Sequence, residues 1–154
     1  MPMQTLTIQS VSENLPQVEA LLTHFCDENR IANYSATIAM AVLQAVQNAM
    51  QHGNGSNPDK KVNICCGYCK GGVYFEVSDQ GSGFDFNSLL AADISTPGTG
   101  TGLFIMRSLA DRLTFSNGGS TVRMEFLIRG IDSEVAGSRQ ATLQKFFAPR
   151  TVSV

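Results

Sequence analysis

The stretch "YSATIAMAVLQAVQNAMQH" constrains the fold more than any other. It reads as one long helix that is apolar nearly all round, and positions 36 to 51 hold no Asp or Glu. A helix of that kind must be buried between other elements rather than laid on a surface. Ser35 is placed to cap its start, and Gly53 to stop it. Within the run, Gln44, Asn48 and His52 recur at four-residue spacing and share one face. Polar groups on a buried helix need partners, so this line is a set of satisfied core groups, a metal site or part of a catalytic site.

The flanking segments supply the layers that bury it. "MQTLTIQS" alternates apolar and polar residues as an opening strand. "LPQVEALLTHFCDENR" carries Val18, Leu21, Leu22 and Phe25 at helical spacing, with Pro16 suited to a first turn. "KVNICCGYC" and "GVYFEVSD" are two strands joined around Lys70-Gly71-Gly72. "LFIMRSLADRL" is a further helix, and "LTFSNGG" with "STVRMEFLIRG" forms a second hairpin turning at Asn117-Gly118. "QGSGFDFNSLLAADISTPGTGTG" is a long Gly/Ser/Thr-rich connection with a helical turn expected near Leu89; such a loop is usually functional or mobile. The order β-α-α-β-β-loop-α-β-β predicts an α+β two-layer sandwich: a mostly antiparallel mixed sheet with helices packed on one face. The 154 residues suit one domain, expected over 1–131. Residues 132–154 are expected to be an appendage, flexible or partner-docking through Leu143, Phe146 and Phe147.

Charge and composition exclude several functions. A formal net charge of −2 offers no basic face, so direct nucleic-acid binding is not expected. No apolar run approaches a membrane span and no charged-then-apolar leader opens at Met1, so a soluble, cytoplasmic protein is expected. Cys65, Cys66 and Cys69 cluster, with Cys26 apart. Cys66-x-x-Cys69 is half of a zinc ribbon with no second pair, and it lies in a strand rather than opening a helix as a redox pair would. Structural thiols fit best, with a metal or redox role left as the alternative.

Two glycine-rich stretches carry the chemistry. In "VSDQGSGFD" a strand ends in Asp79-x-Gly81-x-Gly83; in "PGTGTGLFIM", Gly98-x-Gly100-x-Gly102 opens a helix. Glycines before a helix let backbone approach a phosphate, and the helix start offers free N–H donors. A dinucleotide fingerprint fits poorly, because no strand precedes Gly98, and a Walker loop is excluded because no Gly-Lys-Ser/Thr follows. Either stretch alone is also compatible with an ordinary turn.

Together with the Asn-bearing helix, the order of motifs resembles the Bergerat-type ATP-binding fold of the GHKL superfamily. "QNAMQHGN" is similar to its N box, and the two glycine stretches to its two glycine boxes. "GTGLFIMRSLAD" looks most like the bacterial anti-sigma-factor serine/threonine kinases (RsbW-like). The resemblance spans about Thr5 to Leu127 and implies the following roles. Asp79 would accept a hydrogen bond from the adenine amino group; read alone, it could equally cap the turn before Gly81. Gly81 and Gly83 would let the chain turn under the base. Asn48 would hold Mg²⁺ through its amide oxygen; read alone, it is a satisfied buried Asn. Gly98, Thr99, Gly100, Thr101, Gly102 and Leu103 would form the lid edge and phosphate cradle. Thr121 would help to recognise adenine. The cofactors implied are ATP or ADP with Mg²⁺. The partners implied are a sigma factor or an anti-anti-sigma (STAS-like) protein, with homodimers known in the family.

Two departures stand out. Where the kinase branch carries a Glu base, four residues before the Asn, this chain has Gln44. A carboxamide can position a hydroxyl but cannot take its proton, and losing a general base costs about 10²–10⁴-fold in rate. His52, about 12 Å further along the helix axis at roughly 1.5 Å per residue, is a poor substitute and reads as structural. Second, no Lys or Arg occurs between Gly83 and Met106, and Arg107 either reaches the phosphates or faces solvent. ATP binding is therefore better supported than turnover. The expected function is an ATP-binding regulator that phosphorylates or sequesters a partner. The alternatives are a catalytically silent nucleotide-sensing module and a detached histidine-kinase-like catalytic domain.

Overall fold

The computed structural model describes residues 3–82 and 101–128. Gly83, Gly98, Thr99, Gly100, the turn expected near Leu89 and residues 132–154 lie outside the described residues. The elements are β1 (Gln4–Gln9), α1 (Leu15–Glu28), α2 (Ser35–Asn48), β2 (Lys61–Cys69), β3 (Gly72–Ser78), α3 (Thr101–Leu109), β4 (Arg112–Ser116) and β5 (Thr121–Leu127). The five strands form one sheet in the order β1-β2-β3-β5-β4, and all four described pairings are antiparallel. The α+β sandwich expected from the sequence is thus observed, with no parallel pair among the described strands.

Both hairpins form where the turn residues dictate. Gly71, at φ +81°, closes β2 onto β3 with Cys69 opposite Gly72. Asn117 and Gly118, at φ +52° and +68°, turn β4 into β5. The connection that is not a hairpin decides the site. It carries the chain from β3 through α3 and β4, and β5 then returns between β3 and β4. The end of β3 thereby meets the start of β5, with Ser78 opposite Thr121.

Strand alternation sorts the two faces of the sheet. Val73, Phe75 and Val77 of β3 and Val122, Met124 and Phe126 of β5 enter the core against the helices. Phe25 of α1 meets Phe75 edge-on at 5.4 Å between ring centroids, and Phe75 meets Phe126 at 5.9 Å. Each such burial is worth about 1.5–3 kcal/mol. The opposite face is polar. There Arg123 stacks 3.8 Å above the Tyr74 ring and reaches Glu76 at 3.2 Å.

The central helix is buried along Thr37, Ile38, Ala41, Val42, Ala45 and Val46. Its start differs from expectation. A 3-10 turn over Ala32–Tyr34 runs directly into it, so the helical backbone has no break at which Ser35 could cap. The Ser35 hydroxyl is instead hydrogen-bonded to the Cys26 thiol. The other end widens into a π turn over Ala49–Gly53, closed by Asn54 N–H donating to the Ala49 carbonyl at 2.8 Å. A single π turn inside a helix frequently marks a functional position.

The four cysteines are free thiols. Burial pushes the Cys66 thiol up to about 12 and the Cys26 thiol up to about 11, which keeps both neutral and unreactive. Among the described residues, no group of three His, Cys, Asp or Glu gathers that could hold a metal ion.

Candidate functional site

An open cleft lies between the end of α2, Met106 of α3, Phe115 of β4 and the strand ends of β3 and β5. Asn48 and Asp79, separated by 31 positions in the sequence, both line it. Ala45 and Ala49, one turn apart on α2, contribute only methyl groups and leave room above the sheet. Val77, Met106 and Val122 make the remaining wall apolar.

Asp79 is the charged group of this cleft, and its backbone is pinned. Its N–H donates to the Ser120 carbonyl at 2.9 Å. Its Oδ1 accepts the Gly81 N–H at 2.8 Å. Burial raises its carboxyl above the ordinary value, and the Gly81 N–H and the Lys60 charge offset this only in part. The neighbouring glycines explain how the carboxylate fits. A Cβ on Gly53 would collide with the Asp79 carboxylate, and one on Gly81 would collide with the Gly53 carbonyl. The π turn and the Asp79 turn therefore touch backbone to backbone. Gly53 was read from the sequence as a helix stop; the structure adds that its missing side chain is the space Asp79 occupies.

The polar line on α2 splits into different environments. Gln44 and Asn48 both lie against Gly102 at the start of α3. A Cβ there would stand 3.0 Å from Asn48 Nδ2 and 3.1 Å from Gln44 Oε1. His52 is exposed on the π turn, away from both. Arg107 is exposed on α3. The Leu103 side chain is 3 % exposed and belongs to the core, so only its backbone could face a ligand. Thr101 begins α3.

Thr121 stands on the other face of the sheet, with Ser78, Glu76 and Arg123. Its hydroxyl lies 3.0 Å from that of Ser78 and accepts from Asn117 Nδ2 at 3.0 Å. The preceding residue, Ser120, lines the cleft and supplies the carbonyl that holds Asp79. Thr121 opens β5, whereas Ser120 ends the preceding turn with helical backbone angles. Sequence reading missed Asn54. It is 2 % exposed, and its amide bridges three segments: Oδ1 accepts the Gln80 N–H at 2.8 Å, while Nδ2 donates to Ser10 Oγ and the Lys61 carbonyl, both at 2.9 Å. A polar residue among the loop signals of "GNGSNPDK" gave no hint of burial.

An apolar slot with one acceptor-only carboxylate at its floor, and glycines where side chains would block the backbone, suits a flat heterocycle bearing N–H donors. With an antiparallel sheet covered on one face by helices, it defines a nucleotide-binding domain of the histidine-kinase ATPase class. Residues 8–126 match the histidine kinase-like ATPase domain family, and the chain belongs to that family. Among solved structures, the fold is similar to that of a Mycobacterium tuberculosis protein containing RsbU and RsbW domains. That match has a TM-score of 0.59 at 19% identity, covering 82% of this chain and 32% of the other. At that identity the likeness concerns the fold, and the present chain spans about a third of its counterpart. No curated protein matches the chain. No helix among the described residues is long and apolar enough to cross a membrane.

Proposed function

We propose that the cleft binds ATP and that the chain is a regulatory protein of the anti-sigma-factor kinase type, phosphorylating or sequestering a protein partner. The carrying observation is Asp79. One carboxylate oxygen is taken by Gly81 N–H, and the group is desolvated in an apolar slot that also holds Ser120. Its acceptor-only chemistry suits an N–H donor such as the adenine amino group. Ser120 holds Asp79 through its backbone carbonyl, while its hydroxyl donates to the Asn117 carbonyl at 2.9 Å.

Asn48 fits a Mg²⁺ ion that is shared with phosphates, because one amide oxygen is too little for an all-protein site. Mg²⁺ there would supply charge neutralisation, while Gly102 and the N–H groups opening α3 would cradle the phosphates. Gln44 stands beside Asn48, at the place of the base, and can orient a partner hydroxyl without accepting its proton. This favours slow transfer or none, and a silent nucleotide-sensing module is the second reading. The N-box resemblance and the fold shared with a protein named for RsbU and RsbW domains support a sigma factor or a STAS-like protein as partner.

Calorimetric titration with ATP and ADP, with and without Mg²⁺, tests the site. ATP should bind, and Asp79→Asn should weaken it about 10–100-fold, the usual worth of a hydrogen bond to a charged group, with circular dichroism unchanged. Absence of binding up to millimolar ATP sinks the proposal; an unaltered affinity in Asp79→Asn removes the adenine role.

A further inference from the structure

Beyond the residues that face the ligand, the structure assigns Asn54 as the positioning residue that holds the base-reading turn in its binding geometry before nucleotide arrives. This rests on the nucleotide reading of the cleft. Asp79 leaves β3 into the short turn Asp79-Gln80-Gly81, and an exposed turn of that length has no reason of its own to stay fixed. Three contacts fix it. Asp79 N–H binds Ser120, Gly81 N–H binds the Asp79 side chain, and Gln80 N–H binds Asn54 Oδ1 at 2.8 Å. The last is the hydrogen bond that ties the turn to the segment following α2, beside the packing contact of Gly53. Asn54 follows the π turn that continues α2 past Asn48. It is anchored through Nδ2 to Ser10 and to the Lys61 carbonyl. The Gln80 side chain closes the loop by accepting the Lys61 N–H at 2.6 Å.

The amide chemistry is specific. Two donors and one acceptor are used in one buried side chain, and no other residue of that size offers both on a planar fork. Asp in its place would keep the acceptor for Gln80 and lose both donors. Ala would lose all three bonds and leave the turn held by the Ser120 carbonyl, by its own Asp79 bond and by the Gln80 side chain on Lys61. The π turn matters for the same reason: its extra residue brings Gly53 against Asp79 and delivers Asn54 behind Gln80. Asn54 therefore sets the distance between the base-reading carboxylate and Asn48 at the phosphate end.

The test compares ATP with purine riboside triphosphate, which lacks the 6-amino group, by calorimetry on wild type, Asn54→Ala and Asn54→Asp. In wild type ATP should be preferred. Asn54→Ala should lose about tenfold in ATP affinity while purine riboside triphosphate binding stays nearly constant, so that discrimination collapses. Asn54→Asp should retain more discrimination than Asn54→Ala because it keeps the Gln80 acceptor. Equal losses for both nucleotides would assign Asn54 a general structural role and overturn the inference, as would an unchanged ratio. Hydrogen exchange on wild type provides an arm independent of variant folding. Gln80 and Gly81 amides should be protected without nucleotide, and exchange at open-loop rates there overturns the inference. If wild type binds neither nucleotide, the ATP reading fails rather than the role of Asn54.

Discussion

In the proposed ATP site, the end that would take the base and the end that would take the phosphates are built in different ways. At the base end Asp79 is charged, desolvated and held through Ser120, Gly81 and the Asn54 bridge behind Gln80. At the phosphate end, α2 from Ser35 to Asn48 carries no charged residue, and two carboxamides rest against a glycine. The first arrangement is preorganised for recognition, because its polar geometry is set by backbone contacts that exist without ligand. The second can orient atoms but supplies neither a proton acceptor nor a cation from α2. On the proposed reading, the contrast lets binding and turnover be tested separately.

The strongest way to break that contrast is to restore a base. Gln44→Glu should raise labelling of a cognate partner from ATP by about 10²–10⁴-fold, with nucleotide affinity changed much less. Labelled-ATP transfer assays on both proteins measure it, and a wild type that already labels at the rate of the Glu variant would erase the distinction.

A pH series sharpens the base end. Burial raises the folded pKa of Asp79 above its unfolded value, so the ionised form costs the folded protein. Acidification through that raised value removes this cost, and the group's destabilising contribution returns as pH climbs through it. ATP binding needs the carboxylate and should run the opposite way. Affinity should fall by about tenfold per pH unit once below the raised value, starting above the ordinary carboxylate range near 4. Paired Kd and melting curves should show the two trends crossing, and Asp79→Asn should flatten both.

The smallest effect is expected from Gly102→Ala. The new methyl would meet only the movable amide ends of Asn48 and Gln44, at 3.0–3.1 Å, so these shift rather than collide with backbone. Removing a helical glycine should stabilise the fold by up to about 1 kcal/mol. Mg²⁺–ATP affinity should drop only a few-fold, while preference for ATP over purine riboside triphosphate stays intact. A loss of base preference would show that the two ends are not independent.

Much of the fold was legible because local rules and global packing agreed. Gly71 and Asn117-Gly118 turned where their φ values permit, and the apolar run of α2 had to be covered. Asp79 and Asn48 stood out as polar residues next to glycines or within an apolar helix. What escaped reading depended on partners distant in sequence. The Ser120 carbonyl holds the Asp79 N–H from a distant turn, a pairing that no local pattern marks. Asn54 looked like loop because its partners, Ser10, Lys61 and Gln80, come from three separate segments. Ser35 was read as a cap because a 3-10 entry into α2 leaves no mark of its own in the sequence.

The sequence by itself determined the element order, the α+β class and the carboxamide at position 44, because periodicity, turn chemistry and the identity of residue 44 are properties of short stretches. Tertiary structure alone decided that β5 returns beside β3, that Gly53 yields its side-chain volume to Asp79, and that a buried amide at position 54 holds the turn. Those outcomes depend on which backbone atoms come within hydrogen-bonding reach once the layers have packed.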